Sequence, residues 1–135
     1  MKSRQVLIVE DSRNLAFLAA EALKVAGYRV LVAYDGLTAV GLIRRERPDL
    51  VLLDVGLPGM DGVLLSGLLR EWPALQEPPV ILMSACPRDE LQQKAEEVGA
   101  VDVLPKPFPL SRLVEKVRRW APLDEEPQRS TQKVG

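Results

Sequence analysis

The sequence predicts an α/β fold in which helices cover both faces of one parallel sheet, a doubly wound arrangement. Five short apolar runs alternate with helix-like segments, and the connections between them are short. Such alternation produces right-handed β-α-β crossovers, which make the strands parallel. The central run, residues 50–53, has four consecutive apolar side chains, as expected for a strand buried on both faces.

The first predicted strand, Gln5–Val9, leads into the first helix. Glu10, Asp11 and Ser12 follow the strand and offer oxygens that can cap a helix N-terminus. The apolar stripe of this helix consists of Leu15, Leu18, Ala19, Ala22, Leu23 and Ala26. Gly27 suits the left-handed cap at the end of the helix.

The remaining elements repeat this pattern of a strand followed by a helix. The predicted strands cover residues 28–33, 50–53, 80–83 and 101–104. The helices begin at Asp35 with Gly36, at Asp61 with Gly62, near Arg88 and near Leu110. They end before Pro48, at Trp72 with Pro73, near Val98 and near Trp120. Their inward apolar residues include Ala39, Val40 and Ile43 in the second helix and Leu110, Leu113, Val114 and Val117 in the last.

Length and composition predict one globular domain. The 135 residues are sufficient for one hydrophobic core, which we assign to residues 1–122, and the polar residues 123–135 are a tail or the start of a linker. Apolar residues make up 47% of the chain and charged residues 27%. The net charge of −1 gives no overall field that would hold nucleic acid or an anionic membrane. We therefore expect no direct nucleic-acid partner and no membrane partner.

The residue types and segments that the sequence lacks exclude several classes of function. The sequence has no histidine and a single cysteine, Cys86, which excludes histidine-based catalysis and an internal disulfide. No apolar run approaches the roughly 20 residues that span a bilayer, and the N-terminus lacks a signal-peptide pattern. We expect a cytoplasmic protein. No DNA-binding domain follows Trp120, so we expect a stand-alone domain.

Polar residues follow four of the predicted strands. They are Glu10 with Asp11, then Asp54, Ser84 and Lys106. The carboxyl ends of parallel strands share one edge of the sheet, where α/β proteins bind ligands. Carboxylates that meet there repel one another, and a hard cation such as Mg²⁺ relieves the repulsion. One aspartate oxygen can then attack a phosphorus atom whose charge is balanced by the metal, a lysine and a hydroxyl.

Together with residues 57–62 (Leu-Pro-Gly-Met-Asp-Gly) and the run Lys106, Pro107 and Phe108, this set resembles the receiver domain of bacterial two-component response regulators, of the CheY-like kind. The resemblance covers about residues 5–120. It implies a flavodoxin-like fold with strand order 2-1-3-4-5. It also implies a phosphoacceptor function in a phosphorelay, in which phosphorylation switches binding to a protein partner.

The resemblance implies a role for each residue of the set. Asp54 is the phosphoacceptor, Ser84 is the switch hydroxyl, and Lys106 pairs with Asp54 and then with the phosphoryl group. The ligands of Mg²⁺, for which Mn²⁺ can substitute, are Glu10, Asp11, Asp54 and the backbone carbonyl of Gly56. The bond between Lys106 and Pro107 is expected to be cis.

The resemblance also implies the partners. The donor is a histidine kinase or a phosphotransfer protein, and the target is a downstream protein. A homodimer through the fourth and fifth helices is a further expectation. We expect that the protein is not an enzyme and that its only catalytic activity is slow self-dephosphorylation.

Three positions depart from the family pattern. Val103 occupies the position at which the family has an aromatic residue that moves on phosphorylation. We therefore expect that phosphorylation is transmitted through residues 84–90 or through dimerisation. Gly56 and Cys86 occupy positions whose side chains tune self-dephosphorylation in the family, and neither offers a carboxylate or an amide to orient water. We therefore predict a long-lived phosphoryl state.

Two other functions are compatible with the same residues. A Mg²⁺-dependent phosphohydrolase also forms an aspartyl phosphate, but it usually carries a second acid two residues after the nucleophile, where this chain has Gly56. A pseudo-receiver binds partners without phosphorylation, and the complete acidic set argues against it. Taken singly, Asp11, Ser12 and Asp61 are better explained as helix N-caps.

Overall fold

A computed structural model describes residues 4–57 and 78–123. The strands are β1 (Gln5–Val9), β2 (Arg29–Ala33), β3 (Leu50–Asp54), β4 (Val80–Ser84) and β5 (Asp102–Pro105). The helices are α1 (Arg13–Val25), α2 (Gly36–Glu46), α3 (Arg88–Val98) and α4 (Leu110–Trp120). The third predicted helix and most of the loop 57–62 lie outside the described residues, so α3 and α4 are the fourth and fifth helices of the prediction. No helix in these two ranges is long and apolar enough to cross a membrane.

The strands form one parallel sheet in the order β2-β1-β3-β4-β5, which confirms the predicted doubly wound, flavodoxin-like topology. The chain passes from β1 to β2 on one side and then returns to place β3 on the other side of β1. This reversal is the point at which open α/β sheets leave a crevice beyond the carboxyl ends of the strands. The crevice therefore opens next to Glu10 and Asp54.

Two apolar clusters cover the two faces of the sheet, because successive side chains of a strand point to opposite faces. Leu7, Val9 and Leu53 belong to the cluster that packs against α2 and α3. Ile8 and Leu52 belong to the other cluster, which packs against α1 and α4. All residues of β3 are buried, which confirms the prediction of a strand covered on both faces.

Backbone conformations at the helix ends agree with the predictions. Gly27 and Gly99 adopt left-handed φ values of 106° and 79°, which a glycine tolerates without strain. Arg47, which follows the last residue of α2 and caps the helix, also has a positive φ, 48°, and Pro48 comes directly after it. Asp35 caps α2, since its Oδ1 accepts a hydrogen bond from the Thr38 N–H at 2.8 Å.

A few predicted boundaries are wrong by one residue. β2 begins at Arg29 instead of residue 28, and β5 covers Asp102–Pro105 instead of 101–104. In α1, Leu18 is 43% exposed, whereas Ala16 and Ala20 are buried. An apolar stripe of alanines and leucines can be drawn at more than one rotation of a helix, so hydrophobicity alone misplaced Leu18.

The C-terminal end of the described chain returns to the start of β2. The Tyr28 hydroxyl donates a hydrogen bond to the Ala121 carbonyl at 2.8 Å. Leu123, the first residue of the predicted tail, is half-buried and packs against the cluster beneath α1 and α4. Residues 124–135 lie outside the described part of the chain.

Candidate functional site

Glu10 and Asp11 lie directly after β1. The Glu10 N–H donates to the Ala33 carbonyl at 3.0 Å, which extends the pairing of β1 with β2 and fixes the backbone at this point. The N-cap of α1 is Ser12, whose Oγ accepts from the Leu15 N–H at 3.2 Å. Since Ser12 caps the helix, the carboxylate of Asp11 is left available for another role.

Asp54 is the last residue of β3 and is only 5% exposed. Its Oδ1 accepts a hydrogen bond from the Gly56 N–H at 2.9 Å. The Val55 N–H donates to the Met83 carbonyl at 3.0 Å, so the backbone stays paired with β4 just beyond Asp54. A buried carboxylate is unfavourable unless it is compensated, and the Gly56 amide provides part of the compensation.

Ser84 and Lys106 lie at the ends of the next two strands. The Ser84 Oγ accepts a hydrogen bond from the Cys86 N–H at 3.0 Å. The Lys106 N–H donates to the Ser84 carbonyl at 2.8 Å, which places Lys106 at the same edge of the sheet. The bond between Lys106 and Pro107 is cis, as expected.

The ammonium of Lys106 contacts two carboxylates. Its Nζ lies 2.8 Å from Glu10 Oε1 and 3.4 Å from Asp54 Oδ2. Burial alone would lower the pKa of Lys106, but the hydrogen bond to Glu10 and the negative charge of Asp54 outweigh burial, and the pKa is raised. Lys106 is therefore charged at neutral pH.

The three acidic residues form a cluster with more negative charge than Lys106 neutralises. One carboxylate oxygen from each of Glu10, Asp11 and Asp54 lies within 4.8 Å of the others. Burial raises the pKa of Glu10, and the charge of Asp54 adds to this effect, against the hydrogen bonds from Lys106 and Ser12. A set of carboxylate oxygens with excess negative charge is the type of donor set that Mg²⁺ binds. These residues therefore fit the predicted metal.

Two of the three positions that depart from the family pattern, Gly56 and Cys86, lie at this edge, and the third, Val103, lies near the start of β5. Gly56 is exposed, and a Cβ atom there would lie 3.4 Å from Asp54 Oδ1, so a side chain at this position would contact the carboxylate. Cys86 is half-buried and contributes its backbone amide to the site. Val103 is buried in the cluster beneath α2 and α3.

An apolar cavity of about 370 Å³ opens beside Lys106. Its lining residues are Leu15, Ala85, Lys106, Pro107 and Phe108. They come from α1 and from the segments that follow β4 and β5. A protein that delivers a group to the acidic cluster would therefore meet an apolar surface at the rim.

Sequence reasoning located the ionisable side chains of the site but missed its backbone donors. The amides of Ser12, Gly56 and Cys86 each donate a hydrogen bond to a side-chain oxygen of the site, on Glu10, Asp54 and Ser84 respectively. In each case the donor lies two residues after the acceptor. For Asp54 and Ser84 this spacing is the available sequence signal, since short polar side chains that end a strand commonly accept from the amide two residues later, whereas the longer Glu10 gives no such signal.

Comparison with known proteins places this chain in a family. The family model described as the response regulator receiver domain matches residues 6–118. Sporulation initiation phosphotransferase F of Bacillus subtilis (strain 168) is 35% identical over 124 residues, which cover 91% of this chain and 98% of that protein.

Solved structures agree with this match. A putative response regulator from Chloroflexus aurantiacus J-10-fl has a TM-score of 0.78 and 34% identity, with 87% of this chain and 97% of that chain covered. The chemotaxis protein CheY4 of Vibrio cholerae has a TM-score of 0.79 and 28% identity, with coverages of 88% and 99%. The sheet order, the acidic edge and these similarities lead to one conclusion: the chain belongs to the receiver-domain family of two-component response regulators.

Proposed function

We propose that Asp54 accepts a phosphoryl group and that Mg²⁺ binds at Glu10, Asp11, Asp54 and the backbone carbonyl of Gly56. The observation that carries this proposal is the environment of Asp54. Its carboxylate is buried, the Gly56 N–H holds Oδ1, and the Lys106 ammonium lies 3.4 Å from Oδ2. The other two acids have oxygens within 4.8 Å. A nucleophile, a cation and a metal-ligand set thus meet at one point.

The reaction is a direct phosphoryl transfer. An oxygen of Asp54 attacks the phosphorus of a phosphohistidine on the donor protein, the P–N bond breaks, and its electron pair returns to the imidazole. Mg²⁺, when bound, neutralises charge on the phosphoryl oxygens. Lys106 pairs with Asp54 before the transfer and with the phosphoryl group afterwards. The Ser84 Oγ accepts from the Cys86 N–H, so its own hydrogen is available to a phosphoryl oxygen.

The alternative functions are not favoured. A phosphohydrolase would need an acid near position 56 to activate water, and glycine provides none. A pseudo-receiver would not need the complete cluster of Glu10, Asp11 and Asp54. We therefore propose a signalling phosphoacceptor without enzymatic turnover, apart from slow self-dephosphorylation.

The proposed partners are proteins. The name of the Bacillus subtilis relative, a phosphotransferase, supports a role in a phosphorelay, in which a histidine kinase or a phosphotransfer protein donates the phosphoryl group. The apolar cavity beside Lys106 offers a contact surface at the acidic edge. We further propose a downstream protein target and a homodimer through α3 and α4. The proposal also includes a cytoplasmic location and a domain that spans residues 1–122.

Chemical phosphorylation tests the role of Asp54. The protein is incubated with phosphoramidate and Mg²⁺, and intact-mass spectrometry measures how many phosphoryl groups each chain carries. We expect one group per chain in the wild type and none in Asp54→Ala. Asp89→Ala, at an exposed position of α3, is the matched control and should be labelled like the wild type.

Two results would contradict the proposal. Multiple turnover on a phosphoester would support the phosphohydrolase. The absence of any modification in the wild type, together with no binding of beryllofluoride in the presence of Mg²⁺, would support the pseudo-receiver.

A further inference from the structure

Arg13 is a cation next to the acidic cluster that does not pair with it. Arg13 is the first residue of α1, two positions after Asp11. Its guanidinium carbon lies 4.0 Å from the centroid of the Tyr34 ring, which is cation–π geometry. Among the ion pairs of residues 4–57 and 78–123, none joins Arg13 to Asp11.

The backbone on both sides of Tyr34 places this residue beside the segment that carries the acidic cluster. The preceding residue, Ala33, ends β2, and its carbonyl accepts from the Glu10 N–H at 3.0 Å. The following residue, Asp35, is the N-cap of α2. The backbone of Tyr34 therefore lies beside the segment that carries Glu10 and Asp11, and the residue is 37% exposed with the guanidinium of Arg13 over its ring.

Without the ring of Tyr34, the alternative partner for the guanidinium of Arg13 is Asp11. The carboxylate of Asp11 is exposed and lies two residues away along the chain. A guanidinium pairs well with a carboxylate, often through two parallel hydrogen bonds. Such a pair would occupy oxygens of Asp11 and would place a positive charge where a divalent cation has to bind.

We propose that Tyr34 is a positioning residue of the metal site, because it holds Arg13 over its ring and so keeps the carboxylate of Asp11 free for a divalent cation. The inference rests on the proposed function, in which Asp11 is a ligand of Mg²⁺. The roles are separable: Asp11 binds the cation, Arg13 is the competitor, and the ring of Tyr34 prevents the competition.

A double-mutant cycle tests this role. Isothermal titration calorimetry at low ionic strength gives the Mg²⁺ dissociation constant of the wild type, Tyr34→Leu, Arg13→Ala and the double variant. Leucine keeps side-chain bulk but removes the aromatic face. We expect Tyr34→Leu to bind Mg²⁺ about threefold or more weakly, the loss of one exposed cation–π contact. In the Arg13→Ala background the same substitution should have no effect.

A conservative variant and a second readout separate this role from a structural one. Tyr34→Phe keeps the ring face and should bind Mg²⁺ like the wild type. Mn²⁺ binding followed by electron paramagnetic resonance should rank the variants in the same order. Arg13→Ala should bind either ion at least as tightly as the wild type.

Two outcomes would overturn the inference alone while Mg²⁺ still binds the wild type. One is an unchanged affinity in Tyr34→Leu. The other is an equal loss of affinity with and without Arg13, which would show that the ring acts by supporting the local fold. A wild-type protein that binds no Mg²⁺ at all would overturn the proposed function as well.

Discussion

The two ends of the parallel strands differ in how far the chain itself neutralises their acidic residues. The end where the strands begin is called the amino edge, and the end that carries Glu10 and Asp54 is called the carboxyl edge. At the amino edge, Asp102 at the start of β5 accepts hydrogen bonds from the Lys116 ammonium at 2.8 Å, the Trp120 indole at 3.0 Å and the Val103 amide at 2.8 Å. Burial alone would raise the pKa of Asp102, but these bonds outweigh it and the pKa is lowered. The ionised form of Asp102 therefore stabilises the fold.

At the carboxyl edge, Glu10 and Asp54 share the single ammonium of Lys106. Burial and the charge of Asp54 raise the pKa of Glu10. The contrast lies in how far positive charges and hydrogen-bond donors of the chain itself compensate the carboxylates at each end of the strands. The amino edge is balanced within the chain, whereas the carboxyl edge keeps an excess of negative charge that an external cation can neutralise.

Among these substitutions, removal of the Lys106 ammonium should cause the largest loss in the free energy of unfolding. Lys106→Met leaves Glu10 and Asp54 without their shared cation, and we expect a loss of about 3 kcal/mol in the free energy of unfolding in metal-free buffer. Urea denaturation measures the loss. Lys24→Met is the control, because Lys24 pairs with Glu21 on the surface of α1, and it should cost less than about 0.5 kcal/mol. Equal losses in the two variants would remove the distinction between a buried and an exposed ion pair.

Removal of the Asp102 charge should affect stability but not phosphorylation. Asp102→Asn weakens the hydrogen bonds from Lys116 and Trp120, and we expect it to cost about 2 kcal/mol. Urea denaturation gives the free energy, and intact-mass spectrometry gives the phosphoryl stoichiometry, which should stay at the wild-type level. A loss of phosphorylation in a folded Asp102→Asn protein would show that the two edges are not separate.

The stabilising effect of Asp102 should depend on pH in a defined direction. Its pKa in the folded protein lies below the ordinary value of 3.8, so its contribution is complete above pH 3.8 and is lost as pH falls through the lower folded-state pKa. The difference in unfolding free energy between the wild type and Asp102→Asn should be constant near neutral pH and should shrink in acid. A difference that grows in acid would contradict the lowered pKa of Asp102 in the folded protein.

A side chain at position 56 should shorten the life of the phosphoryl group. Gly56→Asn places an amide beside the Asp54 carboxylate, where it can orient the attacking water, and we expect self-dephosphorylation to be about tenfold faster. Single-turnover release of phosphate measures the rate. The control is Gly41→Asn on α2, where an added Cβ would meet no atom within 4 Å, and it should decay like the wild type. A wild-type phosphoryl group that decays within seconds would contradict the predicted long-lived state.

Within residues 4–57 and 78–123 the strands and helices could be predicted to within a residue or two, because their signals are local. Uninterrupted apolar runs such as Leu50 to Leu53 mark strands buried on both faces, and the strand and helix alternation fixes a parallel sheet. The rotation of α1 could not be predicted from hydrophobicity, since its alanines and leucines allow an apolar stripe at more than one rotation, and the structure buries Ala16 and exposes Leu18.

The site could be predicted as far as its ionisable side chains. The shared edge of parallel strands brings Glu10, Asp54 and Lys106 together, although they are far apart in the sequence. The contact of Arg13 with Tyr34, and that of Asp102 with Trp120, could not be predicted, because each depends on rotamers chosen by packing between separate elements.

The stability of Asp54→Asn in metal-free buffer is the most direct test of the claim that the carboxyl edge carries excess negative charge. The substitution keeps the shape of the side chain and leaves Lys106 to pair with Glu10 alone. We predict that Asp54→Asn unfolds at a higher urea concentration than the wild type, with a gain of about 1 kcal/mol. A loss of stability as large as that of Asp102→Asn would mean that the two edges are balanced alike, and would contradict the account.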